Sequence, residues 1–186
     1  MRYETERLIL RTWRDSDIKP FAELCADKEV MEFFPNVLSY EETEALVERM
    51  KTKFINEGYC FFAVELKSTG EFIGFIGLSK PGFTAPFTPC TEIGWRLSKK
   101  HQGFGYATEG ALKCLDIGFK DFNLDEIVSI AVVENINSQN VMRKIGMTRF
   151  IDGDFLHPSI PSDHKLAKHV LYKINISEYL QQLCNK

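Results

Sequence analysis

Hydrophobic and polar positions follow strand and helix spacings along most of the chain. Residues 7–14 alternate in two rows, with Arg11 in the row opposite Leu8 and Leu10, and predict a first strand. The acidic residues of 15–17 can cap a helix that runs to about residue 25. A short helix is expected over residues 28–34, since the backbone before Pro35 disfavours helix.

Residues 40–57 predict a long helix that ends at Gly58. Its apolar side chains approximate one helical face. The members of that face are Ala45, Val47, Met50, Phe54 and Ile55.

The middle of the chain predicts strands. Residues 59–79 form two apolar runs around the turn KSTG and predict a hairpin. A proline-rich loop over 81–89 leads to a strand in CTEIGWRLS, and a helix is expected from Ala107 to Phe119.

The last third of the chain contains two further strands. Residues 126–133 are almost continuously apolar, so both faces of that strand are expected to be covered. Asn137 is expected to cap a short helix that ends at Gly146, and residues 169–176 predict the last strand. The pattern predicts a mixed α/β (α+β) fold, and the length of 186 residues favours one domain over residues 1–186.

Composition excludes several classes of function. The net charge of −3 argues against general nucleic-acid binding, and no apolar run is long enough for a membrane span. The first residues show no apolar signal region, and the five cysteines include no CxxC pair, so neither a disulfide framework nor a zinc site is indicated. A cytoplasmic protein with reduced thiols fits best.

A glycine-rich turn, WRLSKKHQGFGYATEG, joins a predicted strand to a predicted helix. Glycine lets a ligand approach the backbone, and free amides at a helix N-terminus attract anions. Lys99, Lys100 and His101 stand just before the turn, where positive charge would help to bind phosphate. The alternative is an ordinary strand-to-helix turn with a solvated basic rim.

Two common phosphate motifs do not match this turn. No GxxxxGK[ST] run exists in the chain. Gly103 and Gly105 are followed by Thr108 where a dinucleotide fingerprint needs a third glycine, and the turn follows a hairpin instead of opening a βαβ unit. A dinucleotide-binding domain is therefore the weaker hypothesis.

Residues 102–107, QGFGYA, resemble the Arg/Gln-x-x-Gly-x-Gly/Ala signature of the GNAT N-acetyltransferase superfamily. The segments ETERLILR, EIGW and VENINSQNVMRKIGM are similar to the branch that includes the ribosomal-protein N-terminal acetyltransferases. The resemblance covers nearly the whole chain. It implies a GNAT-like domain with a mixed, mostly antiparallel sheet, splayed central strands and flanking helices.

The resemblance also implies acetyl-CoA as cosubstrate and no metal. Backbone amides of the glycine turn would bind the pyrophosphate, Trp95 and Leu97 would pair with pantetheine, and Asn135 would hold its other side. An amide near Trp95 would polarise the thioester carbonyl. Simpler roles are a core aromatic for Trp95 and a turn residue for Asn135. The implied cofactor-binding residues are Trp95, Leu97, Gln102, Gly103, Phe104, Gly105, Tyr106, Ala107, Thr108 and Asn135.

Acetyl transfer to an amine needs a proton acceptor, because only the neutral amine attacks a thioester and a lysine-like amine has a pKa of about 10.4. Glu92, on the strand before the turn, lies where several family members carry a catalytic glutamate. Its alternative is a charged strand residue that faces solvent. His157 is the second candidate base, and its alternative is a loop histidine that caps the turn before Pro158.

The departing thiolate needs a proton donor. Many family members carry a tyrosine four residues before the glycine of KIGM, and this chain has Met142 there. Ser138 is the expected substitute. The alternative is a helix residue that bonds its own backbone.

The acceptor is expected to be an amine, either a protein N-terminus or a small molecule. Phe33, Phe34, Phe83 and Phe87 could form an apolar entrance, and Asp152 and Asp154 could hold a cationic substrate. A monomer or homodimer is expected. The competing hypothesis is an acyl-CoA-binding module without catalytic activity.

Overall fold

The computed structural model describes residues 1–184, and these contain a sheet of nine strands with five α-helices. The strands are β1 (Arg2–Glu4), β2 (Leu8–Arg11), β3 (Phe61–Leu66), β4 (Phe72–Ser79), β5 (Glu92–Leu97), β6 (Glu126–Val132), β7 (Thr148–Arg149), β8 (Phe155–Leu156) and β9 (Lys168–Asn175). The helices are α1 (Ile18–Ala26), α2 (Tyr40–Glu57), α3 (Tyr106–Lys120), α4 (Ile136–Lys144) and α5 (Ile176–Cys184).

The sheet has the order β1-β2-β3-β4-β5-β6-β9-β7, and β8 also pairs with β9. Its neighbouring strands are antiparallel except for β5 and β6, which are parallel. This arrangement confirms the predicted mixed, mostly antiparallel sheet. Because a parallel connection needs a crossover, α3 carries the chain from β5 to β6.

Helices cover both faces of the sheet. Phe75 of β4 contacts Phe21 of α1, with ring centroids 5.9 Å apart. The next residue, Ile76, points to the other face, where a Cβ on Gly110 of α3 would lie 2.4 Å from its Cδ1. The absence of a side chain at Gly110 therefore lets α3 approach the sheet closely.

Helix α2 begins and ends as the sequence predicts. Ser39 and Glu42 form a reciprocal capping box, with the Glu42 amide donating to Ser39 Oγ at 3.2 Å and the Ser39 amide donating to Glu42 Oε2 at 2.8 Å. Gly58 ends the helix with a φ of 81°.

The predicted apolar face of α2 is partly wrong. Val47 and Met50 are buried together with Thr43, whereas Ala45 is exposed and Ile55 is 79% exposed. Thr43, Val47 and Met50 follow a narrow i, i+4, i+7 stripe, and Ala45 and Ile55 lie outside it.

The short helix predicted over residues 28–34 does not form. This segment contains successive turns, in which the Met31 amide donates to the Asp27 carbonyl at 3.0 Å and the Phe34 amide donates to the Met31 carbonyl at 2.9 Å. The Asp27 carboxylate also accepts the Glu29 amide at 2.8 Å, which favours a turn over a continued helix.

Several elements were not predicted. The first predicted strand is limited to β2, and β1, β7, β8 and α5 have no counterpart in the sequence analysis. The strands β1, β7 and β8 have two or three residues each, which is too short for a readable alternation. None of the described helices is long and apolar enough to cross a membrane.

The C-terminal helix α5 joins the far ends of α3 and α4. Tyr179 donates to Asp116 of α3 at 2.9 Å, and its ring stacks on Phe119 at 4.8 Å. Gln182 Nε2 donates at 2.8 Å to the carbonyl of Gly146, just beyond α4. Helix α5 therefore contacts α3 and the turn that follows α4.

A buried ionic cluster fixes β2 against α1. The guanidinium of Arg11 makes two hydrogen bonds of 2.7 Å to Asp17 and a third to Glu65, and Arg11 is only 4% exposed. Burial alone would lower the pKa of Arg11, but the hydrogen bonds that it donates to the two carboxylates raise it. The alternation of β2 places Arg11 on the face opposite the buried leucines. Arg11 is nevertheless buried, because the two carboxylates neutralise its charge.

Replacement of Arg11 by Met should destabilise the protein by about 3–5 kcal/mol, because two carboxylates then lose their buried cation. The matched control is Arg14→Met, since Arg14 contacts the same Glu65 at 3.3 Å from an exposed position. That control should cost less than about 1 kcal/mol. Urea unfolding of the three proteins measures the difference, and equal losses in both variants would contradict the assignment.

Candidate active site

The parallel strands β5 and β6 are joined only at their first residues. The one paired position is Glu92 with Val128, where the Val128 amide donates to the Thr91 carbonyl at 2.9 Å. At the next residue of β6, the side-chain hydroxyl of Ser129 donates to the Ile93 carbonyl at 3.0 Å, where a continued sheet would have a backbone amide as the donor. Beyond this point the two strands have no further pairing. The implied splay of the central strands is therefore present.

The open edge of β5 faces this gap. The carbonyls of Thr91 and Ile93 point towards β6, so by the strand period of two the backbone groups of Trp95 and Leu97 point the same way. The Leu97 carbonyl already accepts a 3.0 Å hydrogen bond from the side chain of Gln102. The backbone of Trp95 remains available along the gap.

The glycine turn at the start of α3 leaves a row of amides unpaired. The first helical hydrogen bond runs from the Glu109 amide to the Gly105 carbonyl at 3.0 Å, and within residues 1–184 the amides of Gly105, Tyr106, Ala107 and Thr108 have no acceptor. Such amides form an anion site at a helix N-terminus.

Both glycines of the turn are needed for its shape. Gly103 and Gly105 each have a φ of 84°, a backbone conformation that other residues rarely adopt. A Cβ on Gly103 would meet nothing within 4 Å, and one on Gly105 would meet only Arg7 Nη2 at 3.5 Å. The space above the turn is therefore open, and this backbone fits a pyrophosphate group.

Arg7, from the segment before β2, contacts this turn, although no local sequence pattern indicated it. Its Nη1 donates to the Phe104 carbonyl at 3.0 Å, and its guanidinium lies 4.6 Å from the centre of the Tyr106 ring. Its Nε pairs with Glu109 at 2.6 Å. Burial would raise the pKa of Glu109, but donation from Thr5 and Arg7 lowers it. Arg7 therefore holds the turn and places a positive charge beside it.

The side chains of the predicted basic rim before the turn are paired with other groups in this structure. Lys99 pairs with Glu29 at 3.0 Å, and Lys100 pairs with Glu71. His101 is buried, its Nδ1 lies 2.7 Å from Ser98 Oγ, and burial lowers its pKa. A 3-10 turn over Lys99–His101 directs these side chains to other carboxylates, and Arg7 lies beside Gly105, where it is itself paired with Glu109.

Gln102 also differs from its prediction. Its backbone amide donates to the Lys99 carbonyl at 3.2 Å, so this amide is not free for a ligand. Its side chain holds the end of β5 through Leu97. Gln102 therefore shapes the turn, and the open amides begin after it.

Glu92 has an environment suited to proton transfer. Its Oε1 lies 3.9 Å from the position of a Cβ on Gly94, so the carboxyl leans along β5 over the glycine. Burial raises the pKa of Glu92 to about 7, and Lys53 of α2 opposes the shift. Lys53 donates to Ser79 at 2.7 Å, directly across from Glu92 in the β4–β5 register. Glu92 is therefore not the solvent-facing residue of the alternative interpretation.

The helix α4 begins at the carboxyl end of β6. Its N-cap is Asn135, not the predicted Asn137, and Asn135 Oδ1 accepts the Ser138 amide at 3.0 Å. The Asn135 side chain thus caps the helix, which is the structural alternative considered for it in place of a contact with pantetheine. Within the described chain, the Ser138 hydroxyl makes no hydrogen bond to its own backbone, so it is free for another partner. Met142 is 1% exposed and lies in the core.

His157 lies in an aromatic cluster after β8. Its Nδ1 accepts the Ser159 amide at 3.2 Å, which is the turn-capping role that the sequence left open. Its ring centre lies 4.5 Å from that of Phe83 and 5.0 Å from that of His169. Burial and the nearby His169 lower the pKa of His157. His157 is therefore neutral at pH 7, with only Nε2 free.

The predicted apolar entrance consists of two separate groups. Phe83 and Phe87 pack together with Phe155, whereas Phe34 lies over Arg96 on β5. The predicted cation site at Asp154 is already neutralised by Arg149 at 2.6 Å, and Asp152 is exposed. Phe33 is partly buried and joins neither group.

The described part of the chain contains no group of His, Cys, Asp or Glu that could hold a metal ion. The cysteines are free thiols, of which Cys25, Cys60 and Cys114 are buried.

Comparisons with known proteins agree with this architecture. The profile of the family described as "Acetyltransferase (GNAT) domain" matches residues 7–148. The chain is 33% identical to the uncharacterized N-acetyltransferase YnaD of Bacillus subtilis, over 96% of this chain and 99% of that protein.

Solved structures give the same result. A GNAT-family acetyltransferase from Bacillus anthracis is 30% identical with a TM-score of 0.76, over 94% of this chain and 98% of that one. RimL, a ribosomal L7/L12 alpha-N-protein acetyltransferase in complex with coenzyme A, shares the fold at 18% identity with a TM-score of 0.76, over 96% and 99% of the two chains.

Gly105→Val should weaken binding of acetyl-CoA, the ligand that the sequence resemblance implies, by about tenfold or more. A β-branched side chain resists the φ of 84° and would occupy the open space above the turn. Gly70→Val is the matched control, because Gly70 has a φ of 70° with nothing within 4 Å of its Cβ position and lies outside the turn. Calorimetric titration should find unchanged affinity in the control. Equal affinities in the two variants would limit Gly105 to a packing role.

Proposed function

The chain belongs to the GNAT acetyltransferase family, and from this premise we propose that it transfers the acetyl group of acetyl-CoA directly to a primary amine. The observation that carries this proposal is the row of unpaired amides from Gly105 to Thr108 beside the splayed end of β5 and β6. A phosphate site and an open strand edge together fit a ligand with a pyrophosphate at one end and an amide-containing arm.

The binding residues divide by the part of acetyl-CoA that they would hold. The amides of Gly105 to Thr108, with the charge of Arg7 nearby, would bind the pyrophosphate. The open backbone of Trp95 would pair with the pantetheine arm, and the Asn135 side chain lies at the start of the helix on the other side of the gap. Acetyl-CoA supplies an activated acetyl group as a thioester.

Glu92 and Ser138 are proposed to move the two protons of the reaction. A bond forms between the acceptor nitrogen and the acetyl carbon, and the carbon–sulfur bond breaks. Glu92 would receive the ammonium proton of the acceptor, directly or through water, since its pKa of about 7 leaves it partly ionised at neutral pH. The free Ser138 hydroxyl would protonate the departing thiolate. His157 is the second candidate base, through Nε2.

The acceptor is proposed to be a primary amine on a protein N-terminus or on a small molecule. Acceptors are proposed to approach the face of β5 that carries Glu92, where the absence of a side chain at Gly94 lets the ring of Phe61 lie against the strand as an apolar surface. The aromatic cluster of Phe83, Phe87, Phe155 and His157 lies beside β9 and offers an apolar contact surface. None of these contacts selects one amine over another.

Acetyl-CoA at 100 times its dissociation constant should stabilise the protein by about 2.7 kcal/mol, and NAD should do much less. A panel of amines, with released CoA thiol as the measured product, should then show turnover.

Ser138→Ala and Glu92→Gln should each lower kcat by roughly 10²–10⁴, with CoA affinity changed only a few-fold. The Glu92→Gln defect should shrink as the pH rises, because the acceptor then arrives neutral.

Other outcomes of that experiment point elsewhere. Tight binding of acetyl-CoA without turnover of any amine would favour a binding module over an enzyme. A larger, pH-sensitive loss in His157→Ala would transfer the role of base to His157. Full activity of Glu92→Gln at neutral pH would remove Glu92 from the mechanism.

The raised pKa of Glu92 also predicts how stability depends on pH. An unfolded glutamate loses its proton near pH 4.3, whereas Glu92 in the folded protein keeps it to about pH 7. The folded state binds more protons between these values, so Glu92 lowers stability as the pH rises from about 4.3 to 7, and the loss is complete above pH 7. Glu92→Gln should therefore be more stable than the parent by about 3–4 kcal/mol at pH 8 and nearly equal to it at pH 4. Thermal unfolding across this range measures the effect, and a parallel offset at every pH would contradict it.

A further inference from the structure

Arg96 of β5 is a partly buried arginine that has no carboxylate partner within the described residues. Its Nη1 donates to Cys25 Sγ at 3.2 Å, and its Nε is buried without any hydrogen-bond partner. No Asp or Glu within residues 1–184 forms a salt bridge with it, and burial lowers its pKa. A buried charge without a counter-ion is costly, so its retention calls for a reason.

Arg11 shows how this protein neutralises a buried guanidinium when the purpose is structural. Asp17 and Glu65 both bond it, and no solvent is needed to balance its charge. The other described arginines are exposed. The Nε of Arg11 is also buried without a partner, so what distinguishes Arg96 is that no carboxylate of the described chain contacts this partly buried guanidinium.

The groups that surround Arg96 orient it but do not neutralise it. Burial raises the pKa of Cys25, so this thiol stays protonated at neutral pH and carries no charge. The guanidinium lies 4.1 Å from the ring centre of Phe34 and 5.4 Å from that of Phe75. Cation–π contacts with these rings fix the guanidinium plane, but they accept none of its in-plane N–H groups.

The position of Arg96 relates it to the proposed reaction. Glu92, Gly94 and Arg96 lie on one face of β5, because side chains alternate along a strand. The ring of Phe61 covers the middle of this row, 3.1 Å from the Cβ position of Gly94, and stacks on Phe75 with centroids 4.9 Å apart. The row thus has the carboxyl of Glu92 at one end, the ring of Phe61 in the middle, and the guanidinium of Arg96 at the other end. The two end residues are about 13 Å apart along the strand.

We propose that Arg96 binds a carboxylate of the acceptor, so that the substrate is an amino acid or another amine that also carries a carboxylate. The planar guanidinium matches a carboxylate with two parallel hydrogen bonds, which a lysine does not. The amine of the same molecule then lies towards Gly94 and Glu92, where the acetyl group is transferred. The substrate class rests on the proposed acetyl transfer, whereas carboxylate binding by Arg96 does not.

The test compares amines that differ only in the carboxylate. Glycine, β-alanine, γ-aminobutyrate and 5-aminovalerate are each paired with the plain alkylamine of the same chain length without the carboxylate. We expect kcat/KM to favour the carboxylated member by at least about tenfold at the best length. Taurine, with β-alanine's spacing and a sulfonate, distinguishes a carboxylate site from a general anion site.

Arg96→Met should abolish this preference while leaving kcat/KM for the plain amines and the affinity for CoA within a few-fold of the parent. Arg96→Lys should restore only part of it. Arg49→Met, at an exposed arginine of α2, is the matched control and should keep the full preference. A preference that survives Arg96→Met, or that the parent lacks, overturns the proposal and leaves Arg96 as an anchor for Phe34.

A second measurement separates the two proposals. Calorimetry of the CoA-loaded protein with the same ω-amino acids requires no turnover. Binding that the parent shows and Arg96→Met loses supports the carboxylate site even if no amine is acetylated, in which case the proposed acetyl transfer fails alone. Absence of binding in the parent overturns the carboxylate site.

Discussion

The incomplete pairing of β5 with β6 determines most of what is distinctive in this structure. Two parallel strands that share one paired position leave backbone groups without partners, and buried backbone groups need partners. The chain supplies some of them from side chains, with Ser129 bonding Ile93 and Gln102 bonding Leu97. The backbone of Trp95 receives none. The gap is thus held open by specific side chains, and it leaves one stretch of strand edge free for a ligand.

Charge is distributed unevenly around this gap. On one side, Arg7 lies over the glycine turn and is tied to Glu109. On the opposite face, Glu92 and Arg96 are each partly buried, and neither is paired with an opposite charge within 4 Å in the described residues. Elsewhere the protein pairs its buried charges, as at Arg11. Unpaired ionisable groups that share one face of a strand are typical of a site for ligands and proton transfer.

The sequence predicted the parts of the fold that have strong local signals. Helix α2 has a capping box and a C-terminal glycine, the β3–β4 hairpin has apolar runs around a turn, and the glycine turn is recognisable from its residues alone. The partners of these elements depend on contacts between distant parts of the chain. Arg7 reaches Phe104, 97 residues away, and Lys53 reaches Ser79 next to Glu92, so no local pattern could reveal either. The pairing of Lys99 with Glu29 and of Lys100 with Glu71 could not be read from local sequence for the same reason.

The C-terminal helix α5 links the segments that lead away from the two sides of the gap. Helices α3 and α4 begin at the two lips of the gap, and α5 binds both of them at their opposite ends, through Tyr179 to Asp116 and through Gln182 to the Gly146 carbonyl. Helices α3 and α4 thus start on opposite sides of the gap and are linked to each other at their far ends through α5. Helix α5 joins the last turns of α3 to the end of α4 through two hydrogen bonds, both remote from the residues that line the gap, so that support for the gap comes from a part of the chain that never reaches it.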